Sequence, residues 1–316
     1  MTKRHSPHDL VPDLHVGHGI DSGALTLFPV WTAGADKEQR GYLLAAYRAS
    51  ELPGAPSVSR LTLTSTGQEP VLVLEGTILE GGMQHRVVLH SVLLAPGQSV
   101  DVDVACVEAG RWDGDGSHSV GRWRAPSAVR GACYGLRPEA VGRERAAELR
   151  PSDQSDVWRR VHYYERAYGP SDTSSLVEVS KRFERSRSGA PQEPSPDTSP
   201  VPLPGQRGVI IGVAGHPLLL ELFDDSRALA DQWESILQAA RLDAGTVPPE
   251  RVASWRARSF AARISGAPLR QMAIRGLAAE VVAEDLRLFS ARGLSHCGDL
   301  LHLSVVNTRH ELILAA

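Results

Sequence analysis

The sequence predicts a strand-rich α+β protein whose core is an antiparallel sheet or sandwich with a few peripheral helices. Short apolar runs separated by glycine and proline turns fill the N-terminal part of the chain, which is typical of neighbouring antiparallel strands. Strands do not alternate with long helices, so a doubly wound parallel sheet is disfavoured. The hydrophobic fraction of 42% in 316 residues is sufficient for a full core.

The elements of the N-terminal part are mainly strands. Residues 1–22 are polar and predict a flexible terminus. A mixed pattern at 41–52 predicts a short helix, and the acidic glycine-rich residues after 112 predict a loop over 113–130. Periodicity and bounding turns predict strands at 25–31, 58–65, 70–76, 86–94 and 99–108.

The C-terminal part mixes helices and strands. Apolar residues at helical spacing predict one helix at 153–168 and another that is capped by residues 224–226. The second helix has a stripe of Leu229, Trp233, Ile236, Leu237 and Ala240. Further predicted elements are strands at 207–213, 217–223 and 300–306, and a weaker helix at 251–264.

The organisation into domains follows from a proline- and serine-rich segment. Residues 186–206 contain few apolar side chains, so we expect a linker or a disordered loop there. We expect residues 23–185 and 207–316, which flank this segment, to pack together as one domain.

Composition limits the partners of this protein. The net charge of −3 argues against a general polyanion-binding surface, so a nucleic-acid partner is not expected. Lysine is found only at Lys3, Lys37 and Lys181, and the remaining basic residues are arginine, which is typical of a GC-rich, bacterial genome.

Cysteine usage and hydropathy predict a cytoplasmic protein. The three cysteines have irregular spacing, which is not the pattern of a disulfide framework or a zinc site. The chain has no apolar leader at its start and no run of about 18 apolar residues, so no membrane association is expected. We expect neither a metal nor a cofactor.

The most informative stretch is a polar segment between residues 74 and 112. Side chains alternate along a strand, so Cys106 continues the apolar row of Val100, Val102 and Val104, and Glu108 ends it. A carboxylate at the end of a buried row needs a partner. Arg86, which shares a face with Gln84, or Arg111 is the natural partner of Glu108 or of Glu80, and Gly81-Gly82 permits a sharp turn before Arg86.

This polar segment leaves three interpretations open. The charged residues could form a structural ion-pair network at a corner of the sheet, with Trp112 as a packing residue. They could line a ligand pocket, or they could form a catalytic site, although no complete catalytic constellation is visible. For Cys106, an inert buried thiol is favoured over a nucleophile because its surroundings are apolar.

Several separate blocks of this sequence resemble one family. The blocks are Glu75-Gly76, Glu80-Gly81-Gly82-x-Gln84-x-Arg86, Cys106-Val107-Glu108-x-Gly110-Arg111-Trp112, Asp156-Val157-Trp158, Glu221-Leu222-Phe223-Asp224 and Leu301-His302-Leu303. In order and spacing they are similar to the ADP-ribosylglycohydrolase-and-rhodanese-phosphatase-associated protein domain. The resemblance implies a compact strand-rich domain with the polar segment as its signature, and it associates the chain with ADP-ribose or NAD-related biology.

These observations lead to one functional hypothesis and two alternatives. The hypothesis is a regulatory or accessory domain that binds a small anionic, nucleotide-like ligand through its arginines, with Trp112 as an apolar lid. The alternatives are a hydrolase of an ADP-ribose-type bond, with Glu80 or Glu108 as general acid/base, and a protein-interaction scaffold without ligand. The candidate ligand-binding residues are Glu75, Glu80, Gln84, Arg86, Cys106, Glu108, Arg111 and Trp112.

Overall fold

The computed structural model describes residues 10–36, 38, 40–54, 57–134, 153–188, 200–285 and 288–316. Within these ranges the chain forms two large antiparallel β-structures, a closed barrel and an open sheet, with helices packed around them. The predicted α+β class with a strand-rich antiparallel core is confirmed.

The strands of the described residues are numbered in chain order. They are β1 (His15–Val16), β2 (Ile20–Ser22), β3 (Leu25–Trp31), β4 (Tyr47–Ser50), β5 (Arg60–Ser65), β6 (Val71–Val73), β7 (Thr77–Gly81), β8 (Arg86–Val88), β9 (Val92–Leu94), β10 (Ser99–Cys106), β11 (Ser117–Arg124), β12 (Gly208–Val213), β13 (His216–Phe223), β14 (Arg270–Arg275), β15 (Ala278–Asp285), β16 (Phe289–His296) and β17 (Asp299–Asn307). The helices are α1 (Ser127–Cys133), α2 (Gln154–Tyr168), α3 (Leu176–Ser188), α4 (Ser226–Ala244), α5 (Ser254–Ile264) and α6 (Glu311–Ala315).

The open sheet has nine strands, and its central strands are buried on both faces. Its order is β1-β3-β12-β13-β17-β16-β15-β14, and β2 also pairs with β3. On one face Leu27 and Ile211 pack in the same core as helix α4, and on the other Phe28 and Ile210 pack in the same core as helix α5. Because both faces are covered, these strands are almost continuously apolar.

The barrel is closed by six strands in the order β10-β5-β4-β11-β7-β8. Its interior contains apolar side chains from alternate positions of these strands, such as Leu61, Leu63, Val88, Val102 and Val104. The short two-stranded sheet of β6 and β9 adds its own valines and leucines to the same core.

A buried carboxylate connects three helices. Asp243 of α4 accepts a hydrogen bond from the backbone N–H of Ser127 at the start of α1 (2.8 Å) and one from the hydroxyl of Tyr164 in α2. Burial raises the pKa of Asp243 to about 6. The side chain therefore supplies α1 with an acceptor for one of the free N–H groups at its N-terminus.

Two local predictions are wrong. Residues 41–52 form no helix, because Tyr47 and Ala49 are buried while Arg48 and Ser50 are exposed, which is the period of strand β4. Residues 113–130 are not one loop, because they contain β11 and the start of α1. Strand β11 exposes Ser119 and Val120, so it lacks the apolar alternation by which a strand is predicted.

The two segments predicted to be flexible are partly described. Residues 10–22 contain β1 and β2, which pair with β3. At the other segment, residues 186–188 end helix α3, and residues 189–199 lie outside the described residues. Residues 200–206 contact the folded core: the indole N–H groups of Trp233 and Trp31 donate to the carbonyls of Pro200 (2.5 Å) and Pro204 (3.1 Å). Among the described residues, no helix combines the length and hydropathy needed to cross a bilayer.

Candidate functional site

One mouth of the barrel is closed by polar side chains. On β4 the inward-facing side chains of Tyr47 and Ala49 are followed, at the next position of the same row, by Glu51. The inward-facing row of β10 ends with Cys106, and the inward-facing row of β8 begins with Arg86. Strand pairing brings these three row ends to the same end of the barrel, because Arg86 pairs with Cys106 and β4 runs parallel to β10 on the other side of β5. We call Glu51, Gln84, Arg86, Cys106 and His118 the mouth cluster.

Arg86 is the central cation of the mouth cluster, and its side chain is fully buried. Its Nη1 donates to Gln84 Oε1 (3.2 Å), but Nε and Nη2 have no hydrogen-bond partner among the described residues. Glu51 Oε1 lies 3.8 Å from Nη2, which is too long for a hydrogen bond. Burial lowers the pKa of Arg86, although the neighbouring Glu51 carboxylate opposes the shift. The Nε/Nη2 edge, which can bind two oxygens of one carboxylate or phosphate, is therefore unfilled.

Glu51 and His118 form the acidic side of the cluster. Glu51 Oε1 accepts from the backbone N–H of Met83 and lies 3.3 Å from His118 Nε2. Glu51 Oε2 and His118 Nδ1 have no partner in the described part of the chain, although both side chains are more than nine-tenths buried. Burial lowers the pKa of His118, so its imidazole is neutral at physiological pH.

The thiol of Cys106 lies deep in the cluster. Its Sγ is 3.0 Å from Gln84 Oε1 and 2.7 Å from the backbone carbonyl oxygen of Glu108. Burial raises the pKa of Cys106, so the neutral thiol is the form present at physiological pH. This environment favours the inert thiol over a nucleophile.

Glu108 and Arg111 form a clamp beside the cluster. Glu108 Oε2 accepts from Arg111 Nε (3.0 Å), from Arg111 Nη2 (2.7 Å) and from the backbone N–H of His85 (3.0 Å), while Oε1 accepts from the Thr173 hydroxyl (2.8 Å). Burial acts to raise the pKa of Glu108, but these hydrogen bonds outweigh it and hold the pKa below the usual 4.5. A carboxylate so fully occupied is a poor proton donor.

The clamp fixes the segment that presents Trp112. Arg111 Nη1 donates to the carbonyls of Gly82 (2.7 Å) and Asp113 (2.5 Å), and the Cα of Gly114 lies so near Gly82 that a Cβ would be 2.0 Å from its carbonyl oxygen. Between these anchors the Trp112 ring lies 5.7 Å from the Arg86 guanidinium and remains 48% exposed. Trp112 thus stands between Arg86 and solvent on a segment that is held on both sides.

Two of the predicted site residues lie apart from the mouth cluster. Glu80 pairs with Lys181 (3.0 Å) on helix α3. Glu75 belongs to a second, fully buried group, which we call the core network; its members are Glu75, Arg124, Arg130, Glu221 and His302. This network joins the barrel side of the molecule to β13 and β17 of the open sheet, and it unites three of the separated sequence blocks.

Sequence reasoning missed four residues of this region. Glu51 could have been found, because it extends the alternation of Tyr47 and Ala49 just as Glu108 extends that of β10. It was missed because residues 41–52 were interpreted as a helix. His85, His118 and Thr173 carry no such signal, since the backbone N–H of His85 is independent of its side chain and the other two come from elements whose pairing is not local. Across the described ranges, His, Cys, Asp and Glu side chains form no group of three or more that could hold a metal ion.

Fold and site together define an α+β protein in which a six-stranded barrel with a polar, tryptophan-covered mouth is joined to a nine-stranded sheet. The chain belongs to the ARPP-1 family, the ARG and Rhodanese-Phosphatase-superfamily-associated Protein domain, whose family model matches residues 13–306. The predicted family resemblance is confirmed, and it covers nearly the whole chain. Neither the curated proteins nor the solved structures contain a match to this chain.

Proposed function

We propose that this protein is a regulatory or accessory domain that binds a small anionic, nucleotide-like ligand at the mouth of its barrel. The observation that carries this proposal is the unfilled Nε/Nη2 edge of Arg86, a buried guanidinium with two donors that no described residue accepts. A buried charge without full hydrogen bonding is costly, and a ligand with two anionic oxygens would remove that cost.

The surroundings of Arg86 suit this role. Gln84 orients the guanidinium from the side that is already bonded, so the open edge is presented in one direction. The half-exposed ring of Trp112 offers a face on which a base or another flat group can stack once the ring has turned aside. Barrel mouths are among the places where small-molecule sites are commonly found.

Arg124 of the core network is the alternative anion site, and it is less suitable. Two of its nitrogens also have no partner among the described residues, but Glu75 and Glu221 flank it, the nearer oxygens at 3.4 and 3.1 Å from Nη2. Its charge is therefore already compensated by carboxylates, whereas Arg86 has no carboxylate within hydrogen-bonding distance in the described part of the chain.

The hydrolase hypothesis finds less support in the same geometry. Glu108 is occupied by four hydrogen bonds and Glu80 by Lys181, so neither is placed to exchange a proton with a substrate. The family name links these domains to ADP-ribose biology by association, and ADP-ribose is for that reason one of the probes.

The experiment is a thermal-shift series with inorganic phosphate, AMP, ADP-ribose and NAD on the wild type, on Arg86→Met and on Arg122→Met. Arg122→Met makes the same substitution at an exposed arginine of β11, so it controls for non-specific anion binding. A probe at 100 times its Kd should stabilise the wild type and the control by about 2.7 kcal/mol and leave Arg86→Met unchanged.

The unliganded variants give the second readout. Arg86→Met removes an incompletely paired buried charge but also leaves the buried Glu51 carboxylate without its nearest guanidinium, so its stability should lie within about 2 kcal/mol of the wild type. If Arg86→Met loses more than about 2 kcal/mol and no probe distinguishes it from the wild type, then Arg86 is a structural residue and the proposal is wrong.

A further inference from the structure

The mouth cluster contains an unfilled acceptor next to its unfilled donors. Glu51 Oε2 has no partner in the described ranges, and the Glu51 side chain is only 7% exposed. Its other oxygen lies 3.8 Å from Arg86 Nη2, so the carboxylate lies beside the open guanidinium edge. His118, whose Nε2 lies 3.3 Å from the same Glu51 oxygen, has its Nδ1 without a partner among the described residues.

This arrangement discriminates between ligands that carry the same anionic group. A plain anion bound to Arg86 would come to lie beside the Glu51 carboxylate, and like charges at that distance repel strongly when water is excluded. A ligand with an N–H or O–H donor beside its anionic group would instead place that donor on Glu51 Oε2. The repulsive neighbour then becomes a hydrogen-bond partner, and the open edge of Arg86 and the open oxygen of Glu51 are both filled.

We propose that the ligand of the mouth cluster is a small molecule that carries a hydrogen-bond donor, an amine or a hydroxyl, within a few bonds of its anionic group, with Arg86 binding the anion and Glu51 the donor. The short separation of the two side chains sets the spacing in the ligand. This inference rests on the proposed function, since it assigns a ligand class to the same site.

The test uses two matched pairs of probes and calorimetric titration of the full chain. Adenosine 3′-phosphate and 2′-deoxyadenosine 3′-phosphate differ only in the hydroxyl beside the phosphate, while O-phosphoethanolamine and ethyl phosphate differ in the amine. In at least one pair the donor-bearing member should bind the wild type ten times more tightly or better. The pair in which the preference is found distinguishes a hydroxyl from an amine as the donor.

Variants assign the preference to its residue. Glu51→Gln should abolish the preference and bind the plain anion more tightly than the wild type does, since the repulsion is gone. Glu178→Gln, which alters an exposed glutamate of α3, should behave as the wild type. The comparison of probes on the wild type does not depend on any variant, so it stands even if Glu51→Gln folds poorly.

The outcomes separate this inference from the function on which it rests. If both members of each pair bind equally, and Arg86→Met abolishes both, the anion site stands and the donor requirement is wrong. If plain anions bind as tightly as the donor-bearing probes, and the protein takes up a proton from buffer on binding, then protonation of the Glu51–His118 pair replaces the ligand's donor. This outcome also overturns the inference. If no probe binds in a manner that depends on Arg86, both proposals fail.

Discussion

Replacement of Glu108 by glutamine is expected to destabilise the fold without changing the hydrogen bonds of Arg86. Glutamine preserves the shape of the side chain: its carbonyl oxygen can accept from Arg111 and from the His85 N–H, and its amide can donate to the Thr173 hydroxyl. What is lost is the negative charge that strengthens these bonds. Hydrogen bonds to charged groups contribute about 1.5–3 kcal/mol against about 1 kcal/mol for neutral ones.

The magnitude follows from the number of bonds and their exposure. Arg111 donates twice to one oxygen and is 23% exposed at its side chain, so part of its loss is recovered by solvent. We expect a total cost of about 2 kcal/mol, which for a chain of this size corresponds to a decrease in Tm of about 3 °C. Urea unfolding at pH 7, with the wild type as reference, measures it.

The pH dependence gives this prediction a sign. The hydrogen bonds hold the folded-state pKa of Glu108 below 4.5, so its stabilising contribution is present above pH 4.5 and is lost as the pH falls through the folded-state pKa. The difference between wild type and Glu108→Gln should therefore shrink below pH 4.5. A difference under 0.5 kcal/mol at pH 7, or one that grows on acidification, would refute the clamp.

Three further variants test the packing. Trp233→Ala should cost roughly 3–5 kcal/mol in urea unfolding, because the indole is 8% exposed and fills the core under α4; a loss below about 1 kcal/mol contradicts this. The pKa of Asp243 is raised from 3.8 to about 6, so its contribution to stability is complete well below pH 3.8 and declines by about 3 kcal/mol in all as the pH rises through 6. Relative to Asp243→Asn, the wild type should lose most of that amount between pH 4 and 7. Gly82→Ala should cost at least about 2 kcal/mol, because φ is +55° and a Cβ would lie 2.1 Å from His118 Nε2. The control Gly97→Ala has a similar φ of +68° but open space around the Cβ, so it should cost about 1 kcal/mol. Equal costs for the two variants would show that the contact with His118 does not matter.

The elements that could be predicted from sequence are those specified by local patterns. Strand β3 and the unit of β12, β13 and α4 have continuous apolar runs, a tight turn and a capping aspartate, so their residues identify them without reference to the rest of the chain. The barrel is different, because its closure depends on pairings such as Ser117 with Ser50 that no local pattern specifies.

The candidate site shows the same division. The alternation along β10 placed Cys106 and Glu108 at the end of a buried row, and their burial in the structure agrees with that placement. Which cation meets which carboxylate was not predictable, because Arg86 and Arg111 were equivalent candidates in the sequence. The structure pairs Arg111 with Glu108 and gives Arg86 an unanticipated neighbour, Glu51, which directly follows a strand that was interpreted as a helix.

The pairing of β3 with β12 has a consequence for how the chain assembles during synthesis. All six barrel strands lie between residues 47 and 124, so the barrel can close as soon as that stretch has left the ribosome. Strand β3 emerges earlier, yet Val30 must wait for Gly208, a delay of roughly 10–40 s at ordinary rates of translation. Throughout that interval β3 can pair with β1 and β2 but lacks its partner on the other edge, and Arg124 and Arg130 have Glu75 without Glu221. At this stage the nascent chain has all the strands of its barrel, while its sheet still exposes the edge of β3 that β12 will cover.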